Sequence, residues 1–490
     1  MIKNLQQFIA LLPFLIILVT LVTVILSISY NRNHFFVSGL SILGFISALF
    51  SLYFLTTVIP IDITGLLHVD GYSIFYIGMI LIASISTCIF AYPCLLKYEF
   101  NKEEFYLLIL MSTLGAVLLV ISNHIASFFI NIELMSLPVF GLIGYFSYKK
   151  KSLEALFKYL ILSGVASSFL LMGIAWVYSI SGSLSFISVN RIFNVVSLNE
   201  KLIVLFGISM IFLSLFFKLS VVPFHLWTPD IYQGTSALVL SFFSTVGKIS
   251  IFCLLLNISS DIIISNNRTL YFIISLVTFF SMILGNLMAL FQENLKRFLG
   301  YTSISQIGYL FVVLLTSENN YIFSLEANSI YLFSYLFSNI AFFGIMNLIA
   351  NACENNNGNL ISSYQGLFWS QPILSSILTL VLLSLAGIPM TLGFISKFYI
   401  LSIIIQEHLW ILCFGFLIAT LLGFYCYLRI IINLYLTPSL PLQHNFKISN
   451  YWVYTPSGIL ILFSAIILLF LGLYPNPLIS LVKVPELFKY

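Results

Sequence analysis

Apolar runs of helical length recur from one end of the chain to the other. They lie near residues 8–28, 35–56, 72–93, 105–121, 123–145, 157–179 and 202–222, then 235–257, 270–290, 300–316, 325–350, 373–395, 408–433 and 456–474. A hydrocarbon layer about 30 Å thick takes roughly 20 apolar residues to cross as a helix, so nearly every run is a candidate span. Transmembrane strands would be about half as long and would alternate apolar with polar residues. Only 7% of the 490 residues are charged and 60% are hydrophobic, where a soluble chain carries about 25% charged residues. No soluble domain could cover that much apolar surface with so little charge, so the solvent is lipid. The expected fold class is an all-α polytopic membrane protein of about fourteen transmembrane helices, with a broken helix in each half.

The rest of the sequence narrows the chemistry mostly by exclusion. Cys88, Cys94, Cys253, Cys353, Cys413 and Cys426 include no CxxC pair and most fall in apolar runs, so they read as small buried hydrophobes. Neither a disulfide framework nor an iron–sulfur or zinc site is expected. The formal charge of +4, without an arginine-rich block, gives no nucleic-acid signal. Neither GxGxxG nor GxxxxGK[ST] occurs in a suitable setting, and the polar connections, the longest near 181–201 and 436–454, are too short for a nucleotide-binding domain. The run at 8–28 lacks a small-residue cleavage site and further spans follow, so it reads as a first transmembrane helix. Arg32, Lys97, Lys102, Lys149–Lys150–Lys151, Lys296–Arg297 and Lys447 collect on one set of loops, against Arg191, Lys201 and Arg268 on the other. The positive-inside bias puts the first set in the cytoplasm and both termini outside.

Four charges stand where lipid should forbid them. Glu133 lies inside "SFFINIELMSLPVFGLIGYF", Lys218 inside "SLFFKLSVVP", Lys248 in the middle of "VLSFFSTVGKISIFCLLL" and Lys397 inside "GIPMTLGFISKFYILSIII". Each costs at least ~2.5–3.5 kcal/mol at such depth, about 10 kcal/mol for the four, unless partners, water or a lost proton offset it. Glu133 and Lys218 fit either a static pair locking two helices or a pair whose separation changes. Lys158 and Arg429 stand where their stems could snorkel to an interface.

Two of these lysines sit beside chain breaks. In "FFKLSVVPFHLWTPD", residues 216–230, Lys218 precedes Pro223 and His225 follows it, while Pro229 comes shortly after. Proline removes a backbone donor and obstructs the preceding turn. A helix broken within a bundle frees carbonyls and amides that must face protein or water, which is a common way to build an ion site. Histidine, with an ordinary pKa of about 6.5, exchanges a proton readily, so His225 is either a carrier or a satisfied structural residue. Trp227 and Asp230 read as boundary residues, Trp227 in an aromatic belt. A second break, at Gly387, Pro389 and Gly393 in "SLAGIPMTLGFISKF", precedes Lys397. The recurrence suggests an internal duplication. Lysine suits a proton route because burial weakens its hold on the proton and a nearby carboxylate restores it. No cluster of membrane Asp or Glu resembles a sodium cage.

Three stretches carry a family resemblance: "FFKLSVVPFHLWTPDIYQG" at 216–234, "NLKRFLGYTSISQIGY" at 294–309 and "SLAGIPMTLGFISKFY" at 384–399. They are similar to the antiporter-like membrane subunits of respiratory complex I, the NADH-quinone oxidoreductase, and the likeness runs over nearly the whole chain. Within that family, the length leaves no room for a long carboxy-terminal lateral helix, and lysine stands at 397 where one paralogue has glutamate.

The resemblance implies two inverted five-helix repeats, at 101–260 and 261–435, between amino-terminal helices (1–100) and a last loop and helix (436–490). It implies a proton path with Glu133 and Lys218 as a pair, His225 next, Lys248 as the central relay and Lys397 at the second break. Lys158 matches a further family lysine, and Lys296–Arg297 a signature of folding or interface. This chain would bind no cofactor; NADH, FMN, iron–sulfur clusters and quinone would belong to partner subunits. Other membrane-arm subunits, protons and lipids would be its partners, in a bacterial inner membrane. Three competing readings are a subunit of an Mrp-type cation/proton antiporter, a membrane scaffold and a quinone-binding subunit.

Overall fold

The computed structural model describes residues 2–98, 101–146, 150–186, 198–261, 268–316, 321–352, 359–437 and 450–483. Lys149, Arg191, Lys447, Cys353 and most of the 181–201 and 436–454 linkers lie outside the described residues.

Backbone amides and carbonyls cannot be left to lipid, so each apolar run closes its hydrogen bonds within a helix. The helices are α1 (Ile2–Ala10), α2 (Leu12–Tyr30), α3 (His34–Leu55), α4 (Gly71–Leu96), α5 (Glu104–Val120), α6 (Ile125–Ile143) and α7 (Lys150–Ser181). They continue with α8 (Leu198–Leu219), the short α9 (Trp227–Gly234), and α10 at 237–261, which contains a single π-helical turn at Phe243–Gly247. Next come α11 (Arg268–Leu290), α12 (Leu295–Phe311, ending in a 3₁₀ turn), α13 (Tyr321–Ala352), α14 (Pro372–Ala386) and α15 (Leu392–Gln406). The last are α16 (Trp410–Tyr435), α17 (Pro456–Leu473) and α18 (Asn476–Lys483). Among the described residues twelve helices are long and apolar enough to span a membrane, and α5, α14 and α15 are shorter apolar helices.

Local chemistry fixes many of the ends. Asn33 and Asn294 cap α3 and α12 by accepting from the first free amides, and Asp70 forms a reciprocal capping box with Ser73 at α4. Close helix crossings use glycine: a Cβ on Gly173 of α7 would stand 2.6 Å from the Gly207 oxygen of α8. The sequence reading contained no strands, but β1 (Ile61–Ile63) and β2 (Leu67–Val69) form a small antiparallel hairpin ahead of α4. Thr64 and Gly65 turn it in the left-handed region, and its Leu66 carbonyl and His68 amide bond Asn123 and Ile121 beyond α5.

Burial is concentrated in three helices. Buried residues make up 94% of the apolar stretch of α10, 100% of that of α12 and 89% of that of α13, against 17% for α2. Most of α2 faces outward, whereas α10, α12 and α13 form the buried axis, and α10 carries Lys248.

Candidate functional site

The first break is sharper than proline alone would make it. α8 stops at Leu219, four residues before Pro223, because Ser220 takes a left-handed conformation (φ 60°). The amides of Ser220 and Val221 close back on the carbonyls of Phe217 and Phe216 at 2.9 and 3.0 Å. Lys218 is thereby held in the last turn of α8, with its side chain 2% exposed. Its ammonium lies 3.7 Å from Oε1 of Glu133 on α6, longer than a hydrogen bond. Neither atom has a hydrogen-bond partner among the described residues. The second carboxylate oxygen of Glu133 accepts from Ser136 at 3.3 Å. At 3.7 Å two opposite charges attract by roughly 4 kcal/mol at an effective dielectric of about 20, opposed by the cost of taking both from water. The pair is held by charge and not by a shared proton bridge.

Pro229 does not break the chain. It occupies the first turn of α9, where its missing donor is not needed. Nor does Trp227 lie in a lipid-facing belt: it is 4% exposed, stacked on Phe217 (5.2 Å between centroids) and beside Tyr159. The aromatic wall on this side of Lys218 is internal because the break folds Trp227 back against α8. His225, in the 220–226 connection, is buried, and its Nδ1 has no partner among the described residues.

Lys248 follows directly on the π-helical turn of α10, where the widened backbone shifts the register of the residues after it. Its ammonium donates to the Ser303 carbonyl of α12 at 3.3 Å and lies 5.9 Å from the ring centroid of Tyr335 on α13. Lys218 and Lys248 line one cavity, together with Ser136, Tyr159, Trp227 and Phe243. The two lysines therefore line the same space.

At the second break α14 ends on Gly387 in the left-handed region (φ 84°), and α15 begins at Leu392. Lys397 reaches back across the gap and donates to the Leu385 and Ala386 carbonyls at 2.9 and 2.8 Å. These are the orphan carbonyls of a helix C-terminus, where a positive charge is favoured. The same ammonium lies 5.3 Å from the Tyr309 ring. Gln306 also donates to the Leu385 carbonyl, at 3.3 Å, and accepts from the Tyr331 hydroxyl. A second cavity joins Lys397 to Gln306, Tyr331, Ser334, Tyr335 and Ser338. Tyr335 thus borders Lys248 on one side and the cavity of Lys397 on the other.

The structure thus brings Glu133 beside Lys218 at the cavity that Lys248 also lines, places Lys397 at a second cavity that includes Tyr335, and leaves His225 in the first break. Lys158 is elsewhere. Its helix begins at Lys150, so Lys158 lies two turns in and not at an end, and its ammonium is 2.8 Å from both Glu154 and Asp230. Asp230, read from sequence as a boundary residue, also lies 3.5 Å from Arg297 and so links α7, α9 and α12. Lys296 is in the first turn of α12, buried, and donates to the Thr235 carbonyl at 2.7 Å. Arg429 donates to the Leu290 carbonyl at 2.7 Å. Sequence reasoning missed Ser303, Gln306, Tyr331 and Tyr335. The signal was present for α13: Tyr331, Ser334, Tyr335 and Ser338 recur at helical spacing on one face. Among the described residues no group of three or more His, Cys, Asp or Glu side chains could hold a metal ion. Cys88, Cys253, Cys413 and Cys426 are free thiols, Cys413 only half-buried.

The fold and its interior charges define a polytopic, all-helical membrane protein with ionisable groups along its core. A family model described as the transmembrane region of NADH:quinone oxidoreductases and Mrp antiporters matches residues 122–423, and the chain belongs to that family. It is 67% identical over 483 residues to the NADH-quinone oxidoreductase subunit N of Buchnera aphidicola from Acyrthosiphon pisum, covering 99% of each chain. The subunit N of Buchnera aphidicola from Schizaphis graminum is 60% identical over 484 residues, again with 99% of each covered. Among solved structures, a chain of respiratory complex I from Thermus thermophilus with bound aureothin is 26% identical, with a TM-score of 0.80 over 96% of this chain and 98% of that one. A chain of the Mrp complex from Dietzia shares the fold, at 18% identity and a TM-score of 0.82, covering 98% of each.

Proposed function

We propose that this chain is a proton-translocating, non-redox membrane subunit of an NADH-quinone oxidoreductase, of the N type, multi-pass in a bacterial inner membrane. Glu133, Lys218, Lys248 and Lys397 carry or gate the proton, and His225 serves the first break. The observation that carries this reading is the cavity that Lys218 and Lys248 both line, with the Glu133 carboxylate 3.7 Å from Lys218. A lysine beside a carboxylate holds its proton; move the carboxylate away and the proton is released to the next base. A lysine that keeps its proton repels the charge of a protonated neighbour across the same cavity. Charge therefore advances along the row when the Glu133–Lys218 distance changes. Lys158, paired with Glu154 and Asp230, positions α9 against α7 at the edge of this row.

The chain crosses the membrane fourteen times if α5 counts as a span, α8–α9 as one broken crossing and α14–α15 as another. Residues 1–100 form the amino-terminal helices, 101–260 and 261–435 two inverted five-helix repeats, and 436–490 the last loop and helix. Matching details support the repeat. The cap of α6, His124, bridges Ser185 beyond the third helix of its set, and the cap of α12, Asn294, bridges Leu360 beyond the third helix of its own. The fourth element is broken in both sets. The face bearing Arg32, Lys97, Lys102, Lys150 and Lys151 is cytoplasmic, and the β1–β2 hairpin lies outside.

NADH oxidation and quinone reduction take place in partner subunits, and neighbouring membrane-arm subunits pass the driving change to this one. The 67% relative favours this assembly over a cation-exchanging Mrp complex. The test is Lys248→Ala in the assembled complex in membrane vesicles, with NADH-driven quinone reduction and proton transport measured together. Both should fall at least about a hundredfold, the scale of a positioned proton-transfer group. Normal transport with normal turnover would remove Lys248 as a carrier and return a scaffold role.

A further inference from the structure

A third polar cavity lies off the axis, toward the face that carries the β1–β2 hairpin. It is bounded by Asp70, Ser73 and Tyr76 of the α4 end, by Cys253 and Asn257 of α10 and by Leu325 of α13. Its Tyr76 belongs to a hydrogen-bonded cluster: Asn328 of α13 donates to the Tyr76 hydroxyl at 2.7 Å, and that hydroxyl lies 3.1 Å from Ser329. Asn328 is completely buried, yet its carbonyl Oδ1 has no hydrogen-bond donor among the described residues. A buried amide acceptor left unpaired costs about 1–3 kcal/mol, so such a group, one hydrogen bond away from the Tyr76 hydroxyl of a polar cavity, points to water as its partner.

The position of this cluster relative to Lys248 is set by helix geometry. Asn328 is seven residues from the start of α13, about 10 Å below the outward helix end, and Lys248 is thirteen residues from the end of α10, about 20 Å below it. Tyr335, beside Lys248, stands at i+7 from Asn328 and hence on the same face of α13. The Tyr335 hydroxyl also has no hydrogen-bond partner among the described residues. Two turns of one helix therefore separate Tyr335, whose ring lies by the central lysine and whose hydroxyl is unpaired, from an unpaired amide oxygen on the residue that donates to Tyr76 of the cavity. Lys248 and Cys253 lie five residues apart on α10, which thus spans the same two levels.

We propose that Tyr335, Asn328 and Tyr76 line a water-carried release route from Lys248 to the outward face, opening between Asp70 and Asn257. It rests on the relay reading above, and it gives the central lysine an exit separate from the row that continues to Lys397. The proton leaving the ammonium is accepted on a lone pair of a water or hydroxyl oxygen, which passes its own proton onward. Each oxygen ends with the hydrogens it began with, Lys248 is left neutral, and one hydronium is delivered outside. Asn328 does not carry the proton; its Oδ1 and amide orient the waters, so it is a positioning residue.

The experiment uses the assembled complex in sealed vesicles of both orientations. In one arm Asn328→Leu is compared with Asn328→Ser. The leucine variant should lower protons moved per NADH about tenfold with assembly intact, and serine should restore most of it, since serine keeps a water-binding group. In the other arm every cysteine except Cys253 is replaced by serine, and a small membrane-impermeant cationic methanethiosulfonate is added on one side during turnover. Cys253 should be labelled from the outward face only, and labelling should slow proton transport. Equal transport by the leucine and serine variants would overturn the route. So would a Cys253 that stays unlabelled while an Asn257→Cys control at the mouth reacts from outside. If Lys248→Ala pumps normally, the relay reading itself falls; if Lys248→Ala fails but these arms give the contrary results, only the release route falls.

Discussion

Lys218 stands just before the break in one broken helix and Lys397 just after the break in the other, and their ammonium groups are satisfied in different ways. Lys218 faces a carboxylate at 3.7 Å without a hydrogen bond. Lys397 makes two hydrogen bonds, at 2.9 and 2.8 Å, to carbonyls that α14 leaves open at its end. A carboxylate can move, titrate or be displaced, so the proton affinity it supports is adjustable. Backbone dipoles at a helix terminus are fixed as long as the helix stands. The difference teaches that the first break is built to vary the field at its lysine and the second to hold it steady.

The second break should be the more sensitive to shape. A Cβ on Gly393 would overlap the Ser384 carbonyl oxygen, where α14 and α15 cross. Gly393→Ala should force the two half-helices apart at a cost of about 3 kcal/mol or more, read as loss of assembled complex on native gels. Gly387→Ala acts directly on the lysine: φ is 84°, and the new methyl would stand 2.7 Å from Cδ of Lys397. That change should cost about 2 kcal/mol and lower proton transport more than assembly. Measured together, the two quantities would show whether Lys397 must sit on those carbonyls. The smallest effect is expected at the first break, where Ser220 holds the left-handed position without being glycine. Ser220→Gly should gain no more than about 1 kcal/mol, seen as a slightly higher temperature of half-inactivation with transport unchanged.

Much of this contrast could be read before any coordinates. Apolar runs predicted the spans, and the cost of a charge in lipid singled out Glu133, Lys218, Lys248 and Lys397. Proline and glycine located both breaks. What stayed hidden depended on which helices touch. Asp230 carried no sign in sequence that it would meet both Lys158 and Arg297, because those residues lie on α7 and α12. Trp227 resembles any interfacial tryptophan until the break turns it inward. Tyr335 was masked by abundance despite its helical spacing with Tyr331, Ser334 and Ser338, since a chain with 27 tyrosines gives no single one prominence. The π-helical turn before Lys248 lies in a string of ordinary helix-compatible residues, and only packing reveals it.

The most direct measurement compares charge-preserving substitutions at the two breaks. Lys218→Arg and Lys397→Arg would each be made alone and each combined with Glu133→Gln, and NADH-driven proton transport would be measured in assembled complexes. Glu133→Gln should couple strongly to Lys218→Arg, so that the double variant transports no worse than the weaker single. With Lys397→Arg the reductions should multiply, as for independent sites. Equal coupling to both lysines, or multiplicative loss with Lys218→Arg, would contradict an adjustable pair at the first break and a fixed one at the second.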